Sequence, residues 1–214
     1  MKTKKFVEPV DFRCQHRHDG LEHRACYVKH VTDLGTARIG YLDIETSNLD
    51  ANFGMIYSWC IKEAKGDIIS DVLTKEDWKH FPYDQRTVKS LIKAMEQFDV
   101  IYTYNGCRFD IPFIRTRALM IGVDFPVYKQ ITHQDLYFAV RSRLKLNYNS
   151  LENACRALGI KGKTRIDNEF WIRATSGDTK ALKYILDHNK GDVIILEAIH
   201  EKLKPYIRFT NRSI

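Results

Sequence analysis

Asp43, Glu45, Asp110, His188 and Asp192 are the residues of this chain whose types and settings can do chemistry. They stand in "LDIET" at 42–46, "YNGCRFDIPF" at 104–113 and "HNKGDV" at 188–193. Carboxylates brought together repel one another, so a fold that gathers four of them needs divalent cations to hold them. Two such cations are the usual apparatus for in-line attack of water on a phosphodiester. A metal-dependent nuclease is therefore the leading expectation. His188 lies four residues before Asp192, on the same helical face, where an imidazole can take a proton from the attacking water.

These residues require particular elements to present them. Asp43 and Glu45 are two apart in "IGYLDIE", which reads as a strand, so both leave the same face together with Tyr41, while Leu42 and Ile44 leave the other. "MIYSWCIKEAKGDIISDVL" reads as two further strands joined by a turn at Lys65-Gly66, and "DVIYTY" as a short buried strand. Asp110 opens a helix over "DIPFIRTRALMIG", closed by Gly122, with Pro112 in the first turn where proline is tolerated. Taken alone, Asp110 is also an ordinary helix-start residue. Helical spacing also marks "TVKSLIKAMEQF", "LYFAVRSRL", "SLENACRALG" with Ser150 as N-cap, and a long helix from about Thr179 to Leu203. "YKQITHQD" supplies an edge strand, with Asp135 read as the cap of the following helix and His133 as structural. The expected fold is α/β: a mixed sheet with helices on both faces.

The chain has 214 residues, 44% hydrophobic and 12% aromatic, with a formal net charge of +7. That composition is globular, and its length suits one sizeable domain. A basic surplus that persists despite a cluster of acids favours an anionic partner, nucleic acid first. No segment approaches the ~18 apolar residues of a membrane span, so a cytoplasmic location is expected. Five cysteines form no disulfide framework, which suits a reducing compartment. Residues 1–37 are read as a polar, His/Cys-rich N-terminal extension and 38–214 as the catalytic domain.

In order and type, the three acidic motifs resemble those of the DEDD superfamily of 3′–5′ exonucleases, which have a ribonuclease H-like fold. The asparagine, three residues, then Phe-Asp pattern is similar to B-family polymerase proofreading domains and to related bacterial and phage exonucleases. The resemblance spans roughly residues 39–204. It implies that Asp43, Glu45, Asp110 and Asp192 hold two Mg²⁺ or Mn²⁺ ions, and that Asn105 and Phe109 place the terminal nucleotide. The chain departs from the family at His188: the subfamily with this four-residue spacing carries tyrosine there, and the histidine subfamily uses a position occupied here by Asp187. His188 is assigned as the water-orienting or general-base residue, ahead of Tyr184, which is expected to pack against the sheet. The expected activity is a 3′–5′ exonuclease on single-stranded nucleic acid, DNA favoured over RNA. The alternatives are a ribonuclease of the same fold and a binding module that has lost hydrolysis. No polymerase segment follows the last helix, so proofreading is expected to act in trans.

Two other clusters stand out. Arg141, Arg143, Lys145, Lys161, Lys163 and Arg165 lie in a short span near Tyr148 and Trp171. They offer phosphate contacts beside a stacking surface, with Lys161, Lys163 and Arg165 the chosen substrate contacts. A solvated loop is the plain alternative. "CQHRHDGLEHRAC" places Cys14, His16, His18, His23 and Cys26 within thirteen residues. Cys14, His16 (or His18), His23 and Cys26 are plausible ligands of one structural Zn²⁺, although the spacing matches no common zinc finger.

Overall fold

Apolar residues on alternate positions build the sheet that carries the acids. The computed structural model describes residues 7–161, 166–207 and 214. Strands β1 (Ile39–Thr46), β2 (Ile56–Glu63) and β3 (Ile68–Val72) form an antiparallel meander, with Lys65 in the left-handed region at the second turn. β4 (Val100–Thr103) joins β1 in parallel and β5 (Thr132–Asp135) joins β4 in parallel, giving the order β3-β2-β1-β4-β5. The β1–β2 register slips at Glu45/Thr46, where Ser58 and Ile56 are the successive partners. Such a bulge re-aims the end of a strand, and here that end carries Glu45.

The period of two puts Leu42 and Ile44 on one face, with Trp59, Ile61 and Ile101. Helix α2 (Gln85–Met95) covers them with Val88, Leu91, Ile92 and Met95, and α3 (Asp110–Met120) adds Ile111 and Ile114. A bidentate pair of Arg117 with Asp84 links these layers at 2.6 and 2.9 Å, and the same carboxylate accepts the Ile56 amide.

Tyr41, Val100 and Tyr102 face the opposite layer, formed by α4 (Leu136–Arg143), α5 (Leu151–Leu158) and the 25-residue α7 (Thr179–Leu203). Val193, Ile195, Leu196 and Ile199 of α7 are all buried. Each such side chain contributes roughly 1.5–3 kcal/mol on burial, so this part of the helix is held firmly against β1. The tyrosine hydroxyl beneath it is satisfied by His200, with Tyr41 Oη 2.7 Å from Nδ1.

The α/β fold expected from the pattern is the one observed. Two helices lie where the sequence pattern gave none. α1 (Arg24–Leu34) is rich in β-branched, aromatic and histidine residues with weak helix preference, and it is secured by burial of Tyr27, Val28 and Val31. α6 (Asn168–Thr175) has only eight residues, too few for a clear period, and packs with Ala181, Leu182 and Ile185 of α7. Tyr184 differs from expectation: it stacks on Phe170 of α6 at 4.1 Å, half exposed, and not on the sheet.

Candidate active site

The four carboxylates and His188 line one open cleft of about 460 Å³, together with Tyr104, Asn105, Phe109, Ile166 and Trp171. A larger hollow of about 710 Å³, between the N-terminal segment and the 127–131 loop, contains none of these carboxylates.

Asp43 and Glu45 reach the cleft from β1, on the face that α7 covers. The parallel β1–β4 ladder ends at Tyr41–Tyr102, and just beyond it the amide of Ile44 donates to Asp110 Oδ1 at 3.3 Å. That bond fixes the start of α3 between the two acids of the strand. The preceding loop is shaped by Asp135, which accepts the amides of Asn105 (2.8 Å), Cys107 (3.0 Å) and Tyr137 (3.0 Å). Asp135 is thus the cap of α4 and the support of the Asn105 loop. Asn105 itself has φ 63°, a left-handed conformation that asparagine tolerates. Gly106 is required by space, because a Cβ there would lie 2.3 Å from Thr103 Oγ1. His133 is buried against that same hydroxyl, Nε2 to Oγ1 2.8 Å, as a structural residue.

From α7, His188 and Asp192 project together. His188 Nε2 lies 3.6 Å from Asp192 Oδ2 and 3.8 Å from Glu45 Oε1. Candidate ligand atoms of Glu45, His188 and Asp192 all fall within 4.8 Å of one another. Asn189, fully buried, donates Nδ2 to Asp43 Oδ2 at 2.6 Å. Sequence reasoning missed Asn189. Its signal was present, since it sits three residues before Asp192 and so on the same side of the helix.

One carboxylate of the cleft is strongly shifted. Burial pushes Asp110 from 3.8 up to about 7, against the opposing effect of its own and the Ile44 amide, and the charge of Asp135 adds to the rise. Asp110 therefore holds its proton well above the ordinary carboxylate range. The donors are carboxylate oxygens, the chemistry that suits Mg²⁺ or Mn²⁺, and Asp43, Glu45, Asp110 and Asp192 are the residues that would hold them.

Of the other expected contacts, Asn105 and Phe109 line the cleft and Lys161 is exposed beyond the end of α5. Lys163 and Arg165 lie outside the described residues. Cys14, His16, His23 and Cys26 come together elsewhere, apart from the carboxylates. Trp171 stacks over Tyr57 and stands on the wall shared by the cleft and an adjoining apolar hollow of about 470 Å³, with Phe109.

The family model of the RNase H superfamily matches residues 40–204, a span that includes all three acidic motifs. The chain belongs to the RNase H superfamily. It is 26% identical over 147 residues to a DNA polymerase of Methanocaldococcus jannaschii, covering 56% of this chain and 9% of that protein. It is 28% identical over 138 residues to a DNA polymerase of Pyrococcus glycovorans, covering 48% of this chain and 18% of that protein. The chain thus spans less than a fifth of the length of these curated relatives. Its fold is shared with the family B DNA polymerase of the hyperthermophilic archaeon Pyrobaculum calidifontis, with a TM-score of 0.65 at 20% identity over 79% of this chain and 25% of that one. These matches place the carboxylate cleft on an RNase H-like nuclease fold. Among the described residues no helix is long and apolar enough to cross a membrane.

Proposed function

We propose that this protein is a divalent-metal-dependent 3′–5′ exonuclease of single-stranded nucleic acid, with DNA favoured over RNA. The observation that carries the reading is the meeting of Asp43, Glu45, Asp110 and Asp192 with His188 in one cleft. The direction of attack rests on the resemblance of the three motifs to the DEDD exonucleases. The preference for DNA is supported by similarity to DNA polymerases.

Two Mg²⁺ or Mn²⁺ ions held by the four carboxylates would activate water and stabilise the leaving oxygen. The chain's own groups set the rest. Asn189 orients the Asp43 carboxylate, and the Ile44 amide orients that of Asp110. His188, flanked by Glu45 and Asp192, accepts the proton of the attacking water through Nε2. Phe109 and Trp171 receive the terminal base, for which aromatic faces give affinity without regard to sequence. The chain joins this wall at Ile166, directly after the 161–165 segment with its Lys161, Lys163 and Arg165. Exposed Arg141, Arg143 and Lys145 add positive charge for the phosphate backbone.

End-labelled single-stranded DNA and RNA incubated with Mg²⁺ or Mn²⁺ test this reading, beside Asp192→Ala. Metal-dependent laddering from the 3′ end is expected, and its loss in the variant while binding is retained. Binding without cleavage under any metal would replace the exonuclease with a hydrolysis-deficient binding module.

A further inference from the structure

We propose that Cys14, His16, His23 and Cys26 bind one structural Zn²⁺ that clamps the N-terminal segment onto the nuclease fold. The site lies outside the carboxylate cleft and does not depend on the proposed activity.

Local structure delivers the four groups in two pairs. Cys14 and His16 sit in a tight turn, in which the Arg17 amide donates to Cys14 O at 2.9 Å and the Cys14 amide to His18 O at 3.0 Å. Arg17 closes the turn with φ 66°, a conformation that a non-glycine residue adopts only when its surroundings impose it. A reciprocal cap follows. Asp19 Oδ1 accepts the amides of Leu21 and Glu22, both at 2.9 Å, while the Asp19 amide donates to Glu22 Oε2 at 3.2 Å. That cap leads the chain into α1, where His23 is the N-cap residue and Cys26 lies in the first turn. Three residues apart, they present their side chains to the same side.

The donor atoms gather within reach of a single ion. Cys14 Sγ lies 3.5 Å from His23 Nδ1 and 3.7 Å from His16 Nδ1. Cys26 Sγ lies 3.8 Å from His16 Nδ1 and 3.9 Å from Nε2, the other ring nitrogen of His23, which gives the ion one of its two nitrogens. All four residues offer an atom within 4.8 Å of the others. Zinc bonds of about 2.3 Å to sulfur and 2.0–2.1 Å to nitrogen, at tetrahedral angles, separate neighbouring ligand atoms by about 3.4–3.8 Å. Two thiolates and two imidazoles select zinc over the oxygen-loving cations of the cleft, and four protein ligands leave no open position for catalysis. His18 lies against His23, ring centroids 5.6 Å apart, but is not one of the four.

The ion would join the turn to a helix that is itself rooted in the core. Tyr27, Val28 and Val31 of α1 are fully buried. Arg24 pairs with Asp99 at 2.7 Å, just before β4, and Asp99 also accepts the Arg38 amide at the start of β1. The segment before the turn folds back on α1, with Gly20 N donating to Pro9 O at 2.7 Å and Tyr27 Oη to Val7 O at 3.0 Å. A metal that ties a turn to a packed helix adds its binding free energy directly to folding.

The test uses the full chain, purified without chelator and analysed for metal by mass spectrometry. Wild type, His18→Ala and Asp192→Ala are expected to carry one zinc per chain, and Cys14→Ser and Cys26→Ser to carry less than about a tenth of that. Replacement by Co²⁺ in the wild type is expected to give the intense visible bands of a tetrahedral site with thiolate-to-cobalt charge transfer. The thermal midpoint should fall when zinc is stripped and return with Zn²⁺ but not Mg²⁺. The proposal is overturned if reduced wild-type protein takes up no zinc, or if the cobalt spectrum lacks thiolate bands. Unchanged zinc in Cys26→Ser, loss of zinc in Asp192→Ala, or a native mass two hydrogens lighter from a Cys14–Cys26 disulfide would overturn it equally.

Discussion

Replacing Asp110 with asparagine should stabilise the metal-free protein, and the gain should grow with pH. Asp110 is 4% exposed and its pKa stands at about 7, against 3.8 for an ordinary aspartate. Because the folded value is raised, this group's contribution to stability is complete below the unfolded pKa and is lost as pH rises through the folded one. Between those values the unfolded chain has released the proton and the native chain still holds it. The linkage is about 1.4 kcal/mol per pH unit. From about pH 5 to about pH 8 it removes roughly 2–3 kcal/mol from the wild type, levelling off above 7. Asparagine has no such ionisation, and its Oδ1 can still accept the Ile44 amide. For a chain of this size each kcal/mol moves the melting midpoint by about 2–4 °C, so the gap in favour of Asp110→Asn should widen by about 5–10 °C. The assay is thermal unfolding of both proteins across that pH range, in buffer free of Mg²⁺ and Mn²⁺ with no chelator present. Adding Mg²⁺ at the upper pH should then raise the midpoint of the wild type and leave the variant unmoved. A gap that stays constant with pH would show that Asp110 keeps its charge throughout. The account of the site as a buried, cation-seeking carboxylate would then fail.

His188→Ala should slow hydrolysis by roughly 10²–10⁴-fold at saturating substrate if the imidazole takes the water's proton, and an unchanged turnover would remove it from the chemistry. Asn189→Ala should reduce activity or divalent-metal affinity by about 10–100-fold, because Asp43 loses the group that orients it. An Mg²⁺ titration of activity equal to wild type would count against that role. Trp171→Ala should weaken binding of single-stranded DNA by about 1–3 kcal/mol, measured by fluorescence anisotropy in Ca²⁺ at fixed salt. Affinity unchanged by the substitution would place the terminal base elsewhere.

Local pattern made much of the site legible. The strand period alone places Asp43 and Glu45 on one face, and the helical period alone places His188 beside Asp192. The acid-bearing helix begins at Asp110 as its motif predicts, and α7 ends at Leu203. Residue type likewise singled out Cys14, His16, His23 and Cys26. In each case the information lies within a few neighbours along the chain, where period and capping chemistry act.

What the sequence left open was whatever depends on groups far apart in it. The Asn189–Asp43 bond joins positions 146 residues apart, and no local rule pairs them. Trp171 joins the cleft because α6, a helix too short to read from its period, packs on α7. The raised pKa of Asp110 follows from its burial in the packed fold and from the nearness of Asp135, not from its neighbours in "CRFDIPF". The sequence by itself determined which residues could act and which faces they share. Only the tertiary structure decided their distances, their burial and hence their charge, because desolvation and long-range contact exist only once the layers have packed.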